Sequence, residues 1–319
     1  PEINVMSVVT ARVGSQLFND IDWKSELLQD GRALYESAHK SLEIPALLAE
    51  SMRYSLLAGG KRLRPCLTLA AAESVGADLT EALPYACAME MVHTYSLIHD
   101  DLPAMDNDTL RRWRPTNHVV YGEAMAILAG DGLLSHAFVH INRCALEHPE
   151  HARAHLRAMK AVTDAAGAEG MVAGQSVDVY CEKHGCGEED KKKLLDYIHR
   201  NKTAAMIRGA LLAGAELGNP SDAVRAAFSE YGEMLGIAFQ VADDILDACS
   251  TSESMGKTVG KDAQEGKLTY VSLYGVEESK KRLAELTGLD VRQPSQAPAL
   301  YLAMLFYLEL SRSEEGRTF

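Results

Sequence analysis

Residues 82–108 read ALPYACAMEMVHTYSLIHDDLPAMDND. From Ala82 to Ile98 the segment is apolar over most of a helix circumference, which fits a helix surrounded by other helices rather than one lying on a surface. Leu67 to Val75 repeats the pattern. Working outward, Leu48, Met52 and Leu56 recur every four residues, as do Leu34, Ala38 and Leu42, and each set draws one apolar helical stripe. Pro45 lies between the two stripes and marks the start of the second helix. Gly59-Gly60, Gly76, Gly185-Cys186-Gly187, Gly218-Asn219-Pro220 and the stretch from Gly256 to Gly266 read as loops. Alternating β-branched runs are nearly absent, and no Pro- or Ser-rich linker or short repeat divides the chain. The expectation is an all-α protein forming a single large domain over residues 1–319.

Composition narrows the function. Hydrophobic residues are 47% and charged residues 24% of the 319, which is globular usage and excludes disorder. Lys and Arg total 32 against 45 Asp and Glu, a net charge of −13, so no nucleic acid is expected as partner. Local basic clusters or bound metal can still reverse that sign inside a cleft. The six cysteines contain no CxxC pair; Cys181 and Cys186 are half a zinc pattern that no second pair completes, so reduced thiols and a cytoplasmic location are expected. No signal peptide is recognised. The longest apolar run, Ala299 to Leu308, is half of the ~20 residues that a membrane span needs.

Two acidic clusters carry the chemistry. The first follows the apolar helix directly, with Asp100, Asp101, Asp106 and Asp108 inside nine residues. On an unbroken helix Asp100 and Asp106 would diverge by about 120°, at ~100° per residue. Pro103 disfavours continuous helix, and a break there would swing Asp106 back beside Asp100. In the second cluster Gln240, Asp243, Asp244 and Asp247 stand at i, i+3, i+4 and i+7, on one helix face. Like charges so placed repel unless a cation sits on them. An all-oxygen set of this kind suits Mg²⁺ shared with substrate phosphates.

Cations cluster as well. Gly59-Gly60-Lys61-Arg62-Leu63-Arg64 offers a glycine loop with three positive charges, and Arg111-Arg112-Trp113-Arg114 follows the first acidic cluster. Lys202-Thr203 and Lys257-Thr258 set two further lysines beside hydroxyls. His93 lies two turns before Asp100 on the same face. Any one of these groups is ordinary surface charge or, for His93, ordinary core. Together with two acidic motifs they describe a diphosphate pocket.

The sequence strongly resembles the trans-isoprenyl diphosphate synthases, and most closely the bacterial farnesyl diphosphate synthases. The matching stretches are GGKRLRP (59–65), EMVHTYSLIHDDLPAMDNDTLRR (90–112), PTNHVVYGEAMAILAGD (115–131), GQSVD (174–178), HRNKTAAMI (199–207), FQVADDILD (239–247) and GKTVGKDAQEGKLTYVSLYG (256–275). They run in the family's order through a core of about residues 50–285, whereas 288–319 departs from the family's usual ending. The resemblance implies about ten or more helices around a central cavity, a homodimer, and Mg²⁺-dependent condensation of isopentenyl diphosphate with an allylic diphosphate.

Residue by residue, the resemblance assigns Asp100 and Asp106 to two Mg²⁺ with Asp101 in support, and Asp243 to a third with Asp244 and Asp247 nearby. Arg111, Lys202 and Lys257 would bind the allylic diphosphate; Gly60, Lys61, Arg64, His93 and Arg112 would hold isopentenyl diphosphate. Thr203 and Gln240 would turn oxygen dipoles towards the developing carbocation. Tyr95 lies five residues before Asp100, about 7.5 Å down the axis at ~1.5 Å per residue. Its ring would floor the cavity, Ser96 being too small, and farnesyl-making relatives carry an aromatic at this position. The expected product is therefore farnesyl diphosphate (C15), made through geranyl diphosphate, with geranylgeranyl (C20) or geranyl (C10) products as alternatives. A non-catalytic synthase subunit would be expected to lose an acidic motif. A terpene cyclase needs no second diphosphate cradle. Both are less favoured.

Overall fold

The computed structural model describes residues 45–60, 62–249 and 267–287, and these form twelve α-helices with a single two-stranded hairpin. Pro45 precedes α1 (Ala46–Leu56), where Met52 and Leu56 face inward. The next two helices are α2 (Leu63–Ser74) and α3 (Leu79–Asp100). The side chain of Asp78 caps α3 by accepting from the Thr80 N–H at 2.8 Å. Tyr85, Met89, Met91, Val92 and Ile98 on α3 are all buried, so the all-round apolar reading holds: α3 is the helix the others enclose.

Strands β1 (Leu110–Arg111) and β2 (Arg114–Pro115) pair antiparallel, and α4 (Asn117–Tyr121) and α5 (Glu123–Glu147) follow. After a 3₁₀ turn come α6 (Ala152–Ala166), α7 (Met171–His184) and α8 (Lys191–Ile198). A π-helical turn (His199–Ala204) leads into α9 (Ala205–Leu217), then α10 (Asp222–Cys249), α11 (Tyr270–Tyr274) and α12 (Val276–Thr287). α3 packs between α2 and α5, while α9 packs on α2, α6 and α10. Alanines at 71, 72, 88, 129, 210 and 213 are fully buried, and these short side chains let the helices approach closely.

The stripe Leu34, Ala38, Leu42, the loop from Gly256, and the 288–319 tail lie outside the described residues. Among the described residues one helix, α5, is long and apolar enough to cross a membrane, with a mean hydropathy of 1.4 over its best window, and 44% of that window is buried against the protein. The apolar-run reading had missed it, because Asp131 interrupts the run without abolishing its average.

Candidate active site

The first acidic cluster sits where α3 ends. Past Asp100 the chain makes a compact turn, in which the Leu102 N–H donates to the His99 carbonyl (3.2 Å) and the Asp106 N–H returns to the carbonyl of Asp100 (2.9 Å). The break expected at Pro103 is present, and it brings Asp106 back to Asp100. Gln175 on α7 donates to a carboxylate oxygen of Asp100 at 2.8 Å. Burial holds the Asp100 carboxyl above its ordinary value against the pull of Lys202, and Asp106 pushes the same way. Asp101 is turned elsewhere. It receives Nε of Arg111 at 2.7 Å, and burial still lifts its pKa to about 6.

Arg111 is thereby anchored between Asp101 and, at 3.6 Å, Asp108. Facing it across the cluster is Lys202 on the π-helical turn, whose ammonium donates to Asp178 of α7 at 2.6 Å. Burial works to lower the Lys202 ammonium, and Asp178 and Asp100 more than offset it. Gly174 makes the approach possible: a Cβ there would stand 2.2 Å from the Lys202 backbone nitrogen. A π turn at this point fits the association of such turns with functional sites. Lys267, just before α11, reaches Asp106 at 3.5 Å.

Thr203, next on the turn, donates its hydroxyl to Oε1 of Gln240 at 2.7 Å, and Nε2 of Gln240 donates to Asp244 at 2.9 Å. This chain fixes the amide orientation and leaves the Thr203 oxygen its lone pairs. Asp244 is buried and also accepts the Tyr270 N–H at 2.7 Å, with His199 3.6 Å away. It therefore ties α10 to the π turn and α11. Asp243 is half-buried and Asp247 buried on the same helix.

Beside this cluster lies a cradle of arginines. Burial holds the His93 imidazole well below its ordinary value, and Arg64, Arg112, Arg111 and Arg62 all push it further down, so His93 is neutral. Arg62, in the left-handed region at φ 51°, forms a buried ion pair with Glu90 and donates to the Leu56 carbonyl at 2.8 Å. Arg112 and Trp113 form the hairpin's two-residue turn at φ 52° and 64°. That conformation is uncommon for side-chain-bearing residues. The turn presents Arg112 to the carbonyl of Gly59, and burial lowers its pKa to about 10. Gly60, at φ 129°, leaves the space the guanidinium fills: a Cβ would stand 2.7 Å from Arg112 Cζ.

Tyr95 is buried, 7% exposed, with its ring edge-on to His99 at 5.7 Å. Ser96 turns its hydroxyl back to the His93 carbonyl at 2.8 Å. Lys61, Lys257 and Thr258 lie outside the described residues. Sequence reasoning gave no role to Gln175, Asp178, Lys267 or Glu90, and it counted Arg62 among the phosphate-loop cations, whereas the structure pairs it with Glu90. Gln175 and Asp178 stand at i and i+3 in the GQSVD stretch, and that spacing was the available signal.

A family model described as polyprenyl synthetase matches residues 45–304. The farnesyl diphosphate synthase of Geobacillus stearothermophilus is 49% identical over 244 residues, covering 76% of this chain and 80% of that protein. Geranylgeranyl pyrophosphate synthase 7, chloroplastic, of Arabidopsis thaliana is 44% identical over 282 residues, covering 88% of this chain and 80% of its own. Among solved structures, the chain superposes on a Helicobacter pylori geranyltransferase complexed with magnesium and isoprenyl diphosphate. There the TM-score is 0.71 and the identity 30%, over 91% of this chain and 99% of that one.

Proposed function

The chain belongs to the polyprenyl synthetase family, and from that premise we propose that it condenses isopentenyl diphosphate with dimethylallyl and then geranyl diphosphate, releasing farnesyl diphosphate. The observation that carries this reading is the helix break that returns Asp106 to Asp100, within the field of Lys202 and Arg111 and beside a second cradle of arginines. Lys202 and Arg111 at the acidic cluster, beside a cradle led by Arg64 and Arg112, suit two diphosphates, whereas a cyclase would need one.

Mg²⁺, about three ions, would be held by Asp100 and Asp106 and by Asp243, with Asp101, Asp244 and Asp247 behind them. The fit rests on the donor set, which is all oxygen, and on Asp100, whose burial beside Asp106 disfavours its charge until a cation relieves it. Bound there, Mg²⁺ neutralises the leaving diphosphate and lowers the barrier to breaking the allylic C–O bond.

The chain's own residues do the rest. Lys202, Arg111 and Lys257 bind and orient the allylic diphosphate; each is positioned or charged to act where negative charge develops. Gly60, Lys61, Arg64, His93 and Arg112 hold isopentenyl diphosphate, with neutral His93 able to donate one N–H without adding charge. Thr203, its proton committed to Gln240, offers oxygen lone pairs to the carbocation. The apolar helices exclude water from that cation. The isopentenyl double bond attacks it, and the proton then lost passes to the released diphosphate.

The C15 assignment rests on Tyr95, a buried ring five residues before Asp100. The geranylgeranyl-making relatives make C20 the second reading. We read residues 1–319 as one synthase domain acting in the cytoplasm as a homodimer. The outer face of α5 favours the dimer, because Ile127, Leu128 and Val139 are exposed there, and light scattering should give twice the chain mass. To test the activity, the protein is mixed with isopentenyl and dimethylallyl diphosphates and Mg²⁺, and the products are separated by chromatography. A C15 product lost on chelation is expected. No condensation product at all would overturn the proposal, and a C20 product would move it to the second reading.

A further inference from the structure

The opposite end of α3 holds a group of side chains that prenyl transfer does not use. Glu81 stands in the first turn of α3, nineteen residues before Asp100, or about 28 Å along the helix at ~1.5 Å per residue. Around it gather Cys144 from α5, His148 and His151 from the connection, and His155 from α6, spaced as CALEHPEHARAH (144–155). One ligand atom each from Cys144, His148 and His155 lies within 4.8 Å of the others. Cys144 Sγ and His148 Nδ1 are 3.9 Å apart. In a tetrahedral zinc site with bonds of ~2.0–2.3 Å, ligand atoms stand roughly 3.3–3.8 Å from one another, so small side-chain rotations close this set on an ion.

We propose that Cys144, His148 and His155 form a site for a tetrahedral borderline-soft divalent cation, zinc by its chemistry, distinct from the carboxylate-lined Mg²⁺ site. The surroundings are arranged as metal-binding histidines require. Glu81 accepts from Nε2 of His155 at 2.9 Å and from Nδ1 of His151 at 2.9 Å. Burial lowers the His155 pKa, so the ring is neutral and Glu81 selects the tautomer protonated on Nε2. Nδ1 then carries the lone pair and is the ligating atom, oriented by a carboxylate on its other side. The Tyr85 hydroxyl now donates to that nitrogen at 3.0 Å, and the His155 carbonyl at 3.2 Å is its alternative acceptor once the ion is bound. His148 would shift the proton that its Nδ1 now donates to the Cys144 carbonyl at 3.0 Å onto Nε2, which frees Nδ1 as a neutral ligand. Ligation through Cys144 requires the thiolate, so binding releases the thiol proton and strengthens as pH rises. Nitrogen and thiolate donors select against Mg²⁺ here, as the oxygen donors at Asp100 select for it. The ion would tie the start of α3 to the α5–α6 connection.

Cobalt(II) distinguishes the two sites, because only a thiolate ligand gives a sulfur-to-cobalt charge-transfer band. The full-length protein, stripped with chelator and returned to saturating Mg²⁺, is titrated with Co²⁺. A band reaching its plateau at one equivalent, bleached by one equivalent of Zn²⁺, is expected. Cys144→Ser should abolish it, and His148→Ala, at a half-exposed position that threatens folding least, should weaken binding at least ~10-fold. Zn²⁺ should raise the melting temperature of the parent protein and not that of His148→Ala. Absence of the band in the parent protein, or its survival in Cys144→Ser, would overturn the site and leave Glu81, His151 and His155 as a self-contained hydrogen-bond network.

Discussion

At the scale of single residues, the acidic motifs were the most legible part of the chain, because their chemistry depends on charge and spacing alone. The return of Asp106 to Asp100 followed from Pro103 and the helix pitch. Their partners were not legible. Gln175 meets Asp100 across 75 positions of sequence, and Arg62 is spent on Glu90 rather than offered to a ligand; the spacing of Gln175 and Asp178 marks a shared helix face, but nothing local names either partner. Asp100→Ala or Asp243→Ala should lower turnover at least ~100-fold, about 2.7 kcal/mol of transition-state stabilisation. Near-parent rates in both variants at saturating Mg²⁺ would remove the metal assignment. Tyr95 governs what is made rather than how fast. Tyr95→Ala removes a buried ring from the helix below Asp100, and products analysed by chain length should shift from C15 towards C20 with the metal requirement intact. Unchanged C15 output would mean that another side chain ends the cavity.

At the scale of elements, periodicity identified the helices, but it could not reveal a π turn or a left-handed hairpin. Lys202 and Thr203 read as a lysine beside a hydroxyl, with no sign of the turn that carries them. Yet the wider turn is what carries the Lys202 ammonium to Asp178, and Gly174 is what admits it. Likewise Arg112-Trp113 reads as charge on a surface, and only the fold shows two side-chain-bearing residues held at positive φ to deliver Arg112. Gly174→Ala tests the first of these couplings. Its Cβ would meet main-chain atoms of Asn201 and Lys202 rather than a flexible side-chain end, so α7 and the turn must separate. Overpacking of this kind costs ~1–3 kcal/mol, and the accompanying shift of Lys202 should cut kcat/KM for the allylic diphosphate at least ~10-fold. A variant with parent kinetics would show that the turn tolerates displacement and that Gly174 serves only packing.

At the scale of the whole molecule, the all-α fold was legible because α3 is apolar all round, a pattern that only enclosure by other helices satisfies. The same enclosure determines how the protein responds to acid. His93, His140, His155 and His199 are all held neutral, with burial the largest cause in each case. For His199 the pKa falls from an ordinary 6.5 to about 4 in the folded protein. A depressed pKa contributes stability that is present above the unfolded value and lost as pH falls through the folded one, here between 6.5 and about 4. That difference is worth up to ~3 kcal/mol at ~1.4 kcal/mol per pH unit. Asp100 and Asp101 act in the opposite sense: both are raised by burial, and Asp101, lifted to about 6, favours the folded protein as pH falls below that value. Between pH 6.5 and 5 His199 loses about 2 kcal/mol, and His93, held well below its ordinary value, loses in the same sense, against about 1.4 kcal/mol gained by Asp101 over the pH unit below about 6, so the histidines dominate. Mg²⁺, by keeping the carboxylates ionised, should deepen the loss. Melting temperature should therefore fall by at least ~2 °C between pH 7 and pH 5, taking ~2–4 °C per kcal/mol, and fall further with Mg²⁺ and inorganic diphosphate present than with chelator. His199→Gln should flatten the profile. A melting temperature constant or rising towards pH 5 would mean that the buried imidazoles reach water before the fold opens, and the enclosure inferred from α3 would not extend to the π turn.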